Sequence, residues 1–105
     1  MENKSFEHIQ SLVIQWSKDR KIIPNSTPSA QWNKAREEMQ ELLDGLVLND
    51  REMITDGIGD VLVCIINVAA LSGLDVVECL EHAWLQIKDR RGYLREDGIF
   101  VKEGA

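Results

Sequence analysis

Proline, cysteine and positive charge are all scarce in this chain, and each scarcity excludes something. Two prolines in 105 residues leave room for long uninterrupted helices. The two cysteines, Cys64 and Cys79, are 15 residues apart. They fit neither a zinc spacing nor a secreted disulfide framework, so they read as free thiols in a reducing compartment. Twelve Lys and Arg against 18 Asp and Glu leave a net charge of −6. That balance excludes a general nucleic-acid binder, which needs a basic stripe. It does not exclude a nucleotide, because a divalent metal can carry the countercharge. Long apolar runs are missing too. The longest, Val61 to Leu71, is interrupted by Asn67 and is short of a bilayer span. The start, Met1 to Lys4, is polar and lacks the apolar core of a signal peptide. A cytoplasmic protein without a membrane partner is expected.

Period-two alternation is absent, and apolar residues recur at three and four, which predicts an all-α chain. Its length suits one domain, residues 1–105. A first helix is expected from the cap Ser5 to about Lys21, with Phe6, Ile9, Val13 and Trp16 as its apolar stripe. Ile22 to Ser29 breaks the pattern, and Thr27-Pro28 opens a second helix that runs to about Leu46. Its stripe reads Trp32, Ala35, Met39, Leu42 and Leu46. A turn over Gly45 to Asp50 follows, with Asn49 and Glu52 as a capping box for a third helix ending at Gly73. That helix is apolar nearly all round after Asp60, so it must be enclosed on most sides. A monomer this small has little to enclose it with, and a dimer is expected. Asp75 and Glu78 cap a fourth helix running to about Arg91. The tail holds one β-prone piece, Gly98 to Val101.

What the chain does have is crowded acid. Glu37, Glu38 and Glu41 fall within five residues, and Asp56 and Asp60 follow on the next helix. Like charges at helical spacing repel, a cost usually tolerated when a cation sits between them. Several carboxylate oxygens are what a hard divalent ion such as magnesium requires. Glu38 and Glu41 lie about 60° apart on their helix, with Lys34 on the same strip. Asp56, Asp60 and Asn67 follow one line at spacings of four and seven.

The pattern Glu37-Glu38-x-x-Glu41, followed by Asp60 within Gly57-Ile58-Gly59-Asp60, resembles the MazG-like, all-α nucleoside triphosphate pyrophosphohydrolases. The similarity extends from about Trp16 to Lys102. It includes Lys88 and Arg91 as a C-terminal basic motif and a tail like that of small single-domain members. Two positions depart from the pattern. Gly57 stands where a glutamate is usual, with Asp56 as its stand-in, and Leu85 stands where an asparagine is often found.

The resemblance implies a four-helix, oligomeric bundle with a short extended C-terminal tail, either a homodimer or a homotetramer built as a dimer of dimers. It implies cleavage of a nucleoside triphosphate between its α and β phosphates, in house-cleaning or pool control. Glu38, Glu41, Asp60 and Asp56 would hold Mg2+, with Mn2+ as a substitute. Glu37 or Glu41 would be the base. Lys88 and Arg91 would neutralise the leaving pyrophosphate, with Lys34 a further candidate. Trp16 is the best base-contact candidate, and Asn67 joins it in the substrate-binding set. Trp32 reads as core, and His8 and His82 as surface residues. The preferred substrate is expected to be a deoxynucleoside triphosphate, dCTP or dATP. One rival is a non-catalytic helical module that binds a nucleotide or a protein. The phosphoribosyl-ATP hydrolase of histidine synthesis ranks lower, because its tail fits less well.

Overall fold

Each long helix begins where a short polar side chain caps its first turn. In the computed structural model, which describes residues 4–104, Ser5 accepts from the His8 amide at 3.1 Å and opens α1 (Phe6–Asp19). Thr27 accepts from the Ala30 amide at 3.0 Å and opens α3 (Pro28–Leu48), after a four-residue helix α2 (Ile22–Asn25). Asp50 accepts from Met53 at 3.1 Å and opens α4 (Arg51–Leu71). Asp75 accepts from Glu78 at 3.0 Å and opens α5 (Val76–Ile87). A two-stranded antiparallel hairpin, β1 (Gly92–Leu94) and β2 (Phe100–Lys102), pairs Tyr93 with Val101. Met1 to Glu2 and Asn3, on which the expectation of no leader mostly rests, lie outside the described residues, as does Ala105.

Several boundaries differ from the sequence-based expectation. Asn49 is not the cap of α4. It ends α3 in the left-handed region at φ 52°, and Asp50 does the capping. Asparagine tolerates that conformation, so a two-residue connection suffices where a six-residue turn was expected. Helix α1 stops two residues short of Lys21, which itself takes φ 65°. Helix α5 ends at Ile87 with Lys88 as its C-cap, so Arg91 lies beyond the helix. The β-prone tail finds a partner in Gly92–Leu94, a strand the sequence did not announce.

The centre of the fold is the antiparallel pair α3–α4, by far the most extensive contact between elements. The buried face of α3 is Gln31, Ala35, Glu38, Leu42 and Gly45, a 4-3-4-3 spacing that keeps one seam against the partner. The predicted stripe is half right. Ala35 and Leu42 face inward, but Trp32, Met39 and Leu46 are more than half exposed. Trp32 is therefore not core in the single chain, and Arg36 lies over its ring at 5.2 Å. On α1 the inward residues are Gln10 and Ser17, while Phe6, Ile9 and Trp16 remain 40–45% exposed. Gln10 ties α1 to the start of α5 by donating to Asp75 and accepting from the Val76 amide at 2.8 Å.

By length and composition α4 as a whole is apolar enough to cross a membrane, although the run Val61–Leu71 alone is not. Here α3 packs along it, and its Asn67 is buried against α1 and α3. The radius of gyration, 16.2 Å, exceeds the roughly 13 Å of a compact domain this long. The four long helices leave broad apolar faces uncovered.

Candidate active site

Acids from two helices lie along the α3–α4 seam, Glu38 and Glu41 on α3 and Asp60 on α4. Glu38 sits on the buried face of α3, at 9% exposure, because the 3.6-residue period places it between Ala35 and Leu42. Its Oε1 is 3.3 Å from the Lys34 ammonium, while its Oε2 is buried with no hydrogen-bond partner. An ionised oxygen left unpartnered in a protein interior is costly. Glu41, on the outer side of the seam, faces Glu38. The hydrogen bond that its protonated form makes to Glu38, and then the Glu38 charge, raise the Glu41 carboxyl above its ordinary value, with Asp60 adding a smaller push. When both glutamates are ionised neither can donate, so the Glu38 oxygen stays orphaned. Asp60 lies on an exposed turn of α4 and borders the same cavity as Glu38.

Lys34 is the cation of this group. It reaches Glu37 at 3.5 Å and Glu38 at 3.3 Å, and hydrogen bonding to Glu38 raises its own value. Glu37 is turned outward, with its side chain 71% exposed. Asp56 is exposed one turn before Asp60 and does not line the cavity.

The cavity holds about 500 Å³ between α1, α2, α3 and α4. Glu38, Asp60 and Lys34 border it, and so do Trp16, Gln31 and Asn67. Arg20 lies over the Trp16 ring at 4.5 Å. Asn67, 2% exposed, has both ends of its carboxamide satisfied: it accepts from Ser17 at 2.7 Å and donates to Gln31 at 3.2 Å. Cys64 is buried in the same wall, and burial and then the Glu38 charge raise its thiol.

Lys88 and Arg91 are not in this cavity. Arg91 lines a separate hollow where α5 meets the hairpin, with Arg90, Lys102, Asp89 and Glu103. Lys88 is exposed at the end of α5. Gln31, which lines the main cavity, and Ser17, which bonds Asn67 behind its wall, escaped the sequence reading. The available signal was a polar residue on the buried heptad-like face of α3, seven residues before Glu38.

Hard oxygen donors, one orphaned and buried, with a neighbouring carboxyl raised by it and a third carboxylate on α4, fit a divalent cation. Among the described residues no three Asp, Glu, His or Cys side chains are drawn close enough to cage an ion as they stand.

The helical arrangement matches a solved structure, the cyanophage S-2L MazG-like pyrophosphohydrolase bound to dGDP and three catalytic Mn2+ ions per active site. The TM-score is 0.70 over 96% of this chain and 99% of that one, at 22% identity. The fold is MazG-like. In sequence, the chain is similar to an uncharacterised 18.2 kDa protein from the rep-hol intergenic region of Haemophilus phage HP1, at 38% identity over 65 residues. That match takes in 62% of this chain and 40% of the phage protein. No family model matches the sequence. Within the MazG-like fold, Gly57 has a local reason. A Cβ there would lie 2.8 Å from Leu42 Cβ and 2.9 Å from Leu42 Cα, so α3 and α4 approach too closely for any side chain at that place.

Proposed function

We propose that this chain is a metal-dependent nucleoside triphosphate pyrophosphohydrolase, releasing a nucleoside monophosphate and pyrophosphate. The observation that carries the reading is the buried, unpartnered Glu38 Oε2 beside Glu41 and Asp60, at the mouth of a cavity large enough for a nucleotide, in a MazG-like fold. Glu38, Glu41 and Asp60 would hold Mg2+, or Mn2+ in its place, with Asp56 a turn away as a further donor. A bound divalent ion supplies charge neutralisation for the phosphates and a more acidic water. Glu41 is the better base, because it faces Glu38 at the site whereas Glu37 is turned outward and engaged by Lys34. Lys34 stands beside the carboxylates and meets phosphate charge.

The substrate is a deoxynucleoside triphosphate, dCTP or dATP, and the role is control of a cytoplasmic nucleotide pool. The working assembly is a homodimer or a dimer of dimers. Its half-exposed Trp32, Met39 and Leu46 on α3 and Ile58, Leu62 and Ile65 on α4 are surfaces a second copy would cover. Lys88 and Arg91 then serve phosphates bound to a neighbouring copy. Incubation with each common nucleotide, with magnesium and again with a chelator, tests the reading. Metal-dependent pyrophosphate release from at least one triphosphate is expected, and none from any of them would end it.

Gly57 favours a second reading, because it removes one carboxylate from the pattern. A non-catalytic nucleotide-binding module would keep the cavity and bind a nonhydrolysable nucleotide in titration calorimetry without releasing pyrophosphate from its hydrolysable counterpart.

A further inference from the structure

The cavity is bordered by acids at one level of the seam and by amides at another. Gln31 precedes Glu38 by seven residues on α3, and Asn67 follows Asp60 by seven on α4. Seven helical residues span roughly 10 Å. The Asn67–Gln31 hydrogen bond holds the two amides at one level, that far along the seam from the acids. With phosphates at the carboxylates, that length suits a sugar and the base beyond it.

The amide end is a chain of bonds across four elements and loops. Ser17 on α1 donates to Asn67 Oδ1 at 2.7 Å, and Asn67 Nδ2 donates to Gln31 Oε1 at 3.2 Å. Gln31 Nε2 in turn donates to Ser26 Oγ at 3.1 Å, just before α3. Ser17 and Asn67 are almost fully buried, at 0% and 2% exposure, and Gln31 is half-buried on the cavity wall. A carboxamide has two lone pairs and two N–H groups. The chain uses one of each on Gln31, leaving one N–H and one lone pair of the carboxamide for a ligand. Such a pair matches the polar edge of a nucleobase in one orientation of the amide only.

We propose that Gln31 reads the substrate's base, and that Ser17, Asn67 and Ser26 act as positioning residues that hold its carboxamide one way round. The proposal rests on the nucleotide reading above and deepens it: base choice is set at the amide end of the cavity, apart from the metal and phosphate end. Trp16, which borders the same space, offers a ring face to the base whatever its identity and contributes little to choice.

The test is a panel of the four deoxynucleoside triphosphates, with kcat and KM for pyrophosphate release. The wild-type chain is compared with Gln31→Met, Gln31→Glu and Ser17→Ala. Gln31→Met removes the polar groups at nearly constant size. It should cut the preference between best and worst nucleotide by about tenfold or more through the KM of the favoured one. The half-saturating magnesium concentration should not move. Gln31→Glu replaces the donor by an acceptor and should change which nucleotide is favoured. Ser17→Ala should weaken the preference in the same KM-borne way, which a loss of stability alone would not do. An unaltered preference ratio in both Gln31 variants would overturn the proposal. A wild-type chain that releases no pyrophosphate from any nucleotide would instead sink the underlying reading, and the proposal with it.

Discussion

A carboxylate placed for work is a carboxylate placed badly for stability, and Glu41 is the residue where this can be measured. Hydrogen bonding to Glu38, and then the Glu38 charge, hold the Glu41 carboxyl above its ordinary value in the folded chain. A carboxyl whose folded value lies above the ordinary one contributes stability at low pH and loses it as pH rises through the raised value. At neutral pH the metal-free protein therefore carries a repulsion that an uncharged amide would relieve. Glu41→Gln should melt at a higher temperature than the wild type without metal at pH 7, and the gain should shrink toward pH 4. The same variant should lose metal-dependent turnover by a hundredfold or more, roughly what a general base contributes. Thermal melts across that pH range, beside a release assay, check both halves. An unchanged or lower melting temperature at pH 7 would contradict the crowding inferred here. In the sequence, the crowding of Glu38 and Glu41 was legible from spacing alone, because three residues on one helix bring them to neighbouring positions; the place of Asp60 depends on how α4 packs on α3. The orphaned oxygen of Glu38 was not, since it depends on α4 burying one carboxylate oxygen and leaving the other to Lys34.

At the scale of the element, the α3–α4 seam decides what the site can contain. Gly45 and Gly57 face across it: a Cβ on Gly45 would stand 2.9 Å from Met53 Cβ, and one on Gly57 would meet Leu42 backbone. Gly57→Ala should destabilise the fold by about 1–3 kcal/mol despite alanine's better helix propensity, because a backbone rather than a flexible tip has to give. Chemical denaturation of the variant measures this, and a stabilised Gly57→Ala would show that the helices are not locked so closely. The helices themselves were legible: Ser5, Thr27-Pro28 and Asp75 announce three starts, and Gly73 one end. Their inward faces were less so. Apolarity pointed to Trp32, Met39 and Leu46 on α3, whereas the partner helix takes the face of Gln31, Ala35, Glu38, Leu42 and Gly45. Hydrophobic periodicity reports every face that will be covered, and in a chain that exposes apolar surface it does not say by what.

The whole molecule is too open for its length and has few buried apolar side chains, Ala35, Cys64, Ile66 and Ala69 among them. Its acidic cavity and its basic hairpin hollow share no lining residue. Both facts are met by an assembly in which one copy's Lys88 and Arg91 approach the carboxylates of another. Mixing inactive Glu38→Ala with inactive Arg91→Ala, under conditions that allow subunits to exchange, should then restore activity. For a dimer the return approaches about a quarter of the wild-type sites. A mixture no more active than its parts would place the basic residues outside the site. The apolar surface that α4 leaves half-exposed was legible from its all-round apolarity. The separation of the two cavities was not, because Lys88 and Arg91 lie close to the acids in motif order but not in space.

The central claim is that Glu38, Glu41 and Asp60 share a divalent cation and present a triphosphate to it. The most direct measurement is magnesium-dependent pyrophosphate release by Glu38→Ala and Asp60→Ala, with circular dichroism recorded on the same samples. Helicity at the wild-type level with turnover abolished in both is the predicted result; turnover at the wild-type level in both would contradict the site.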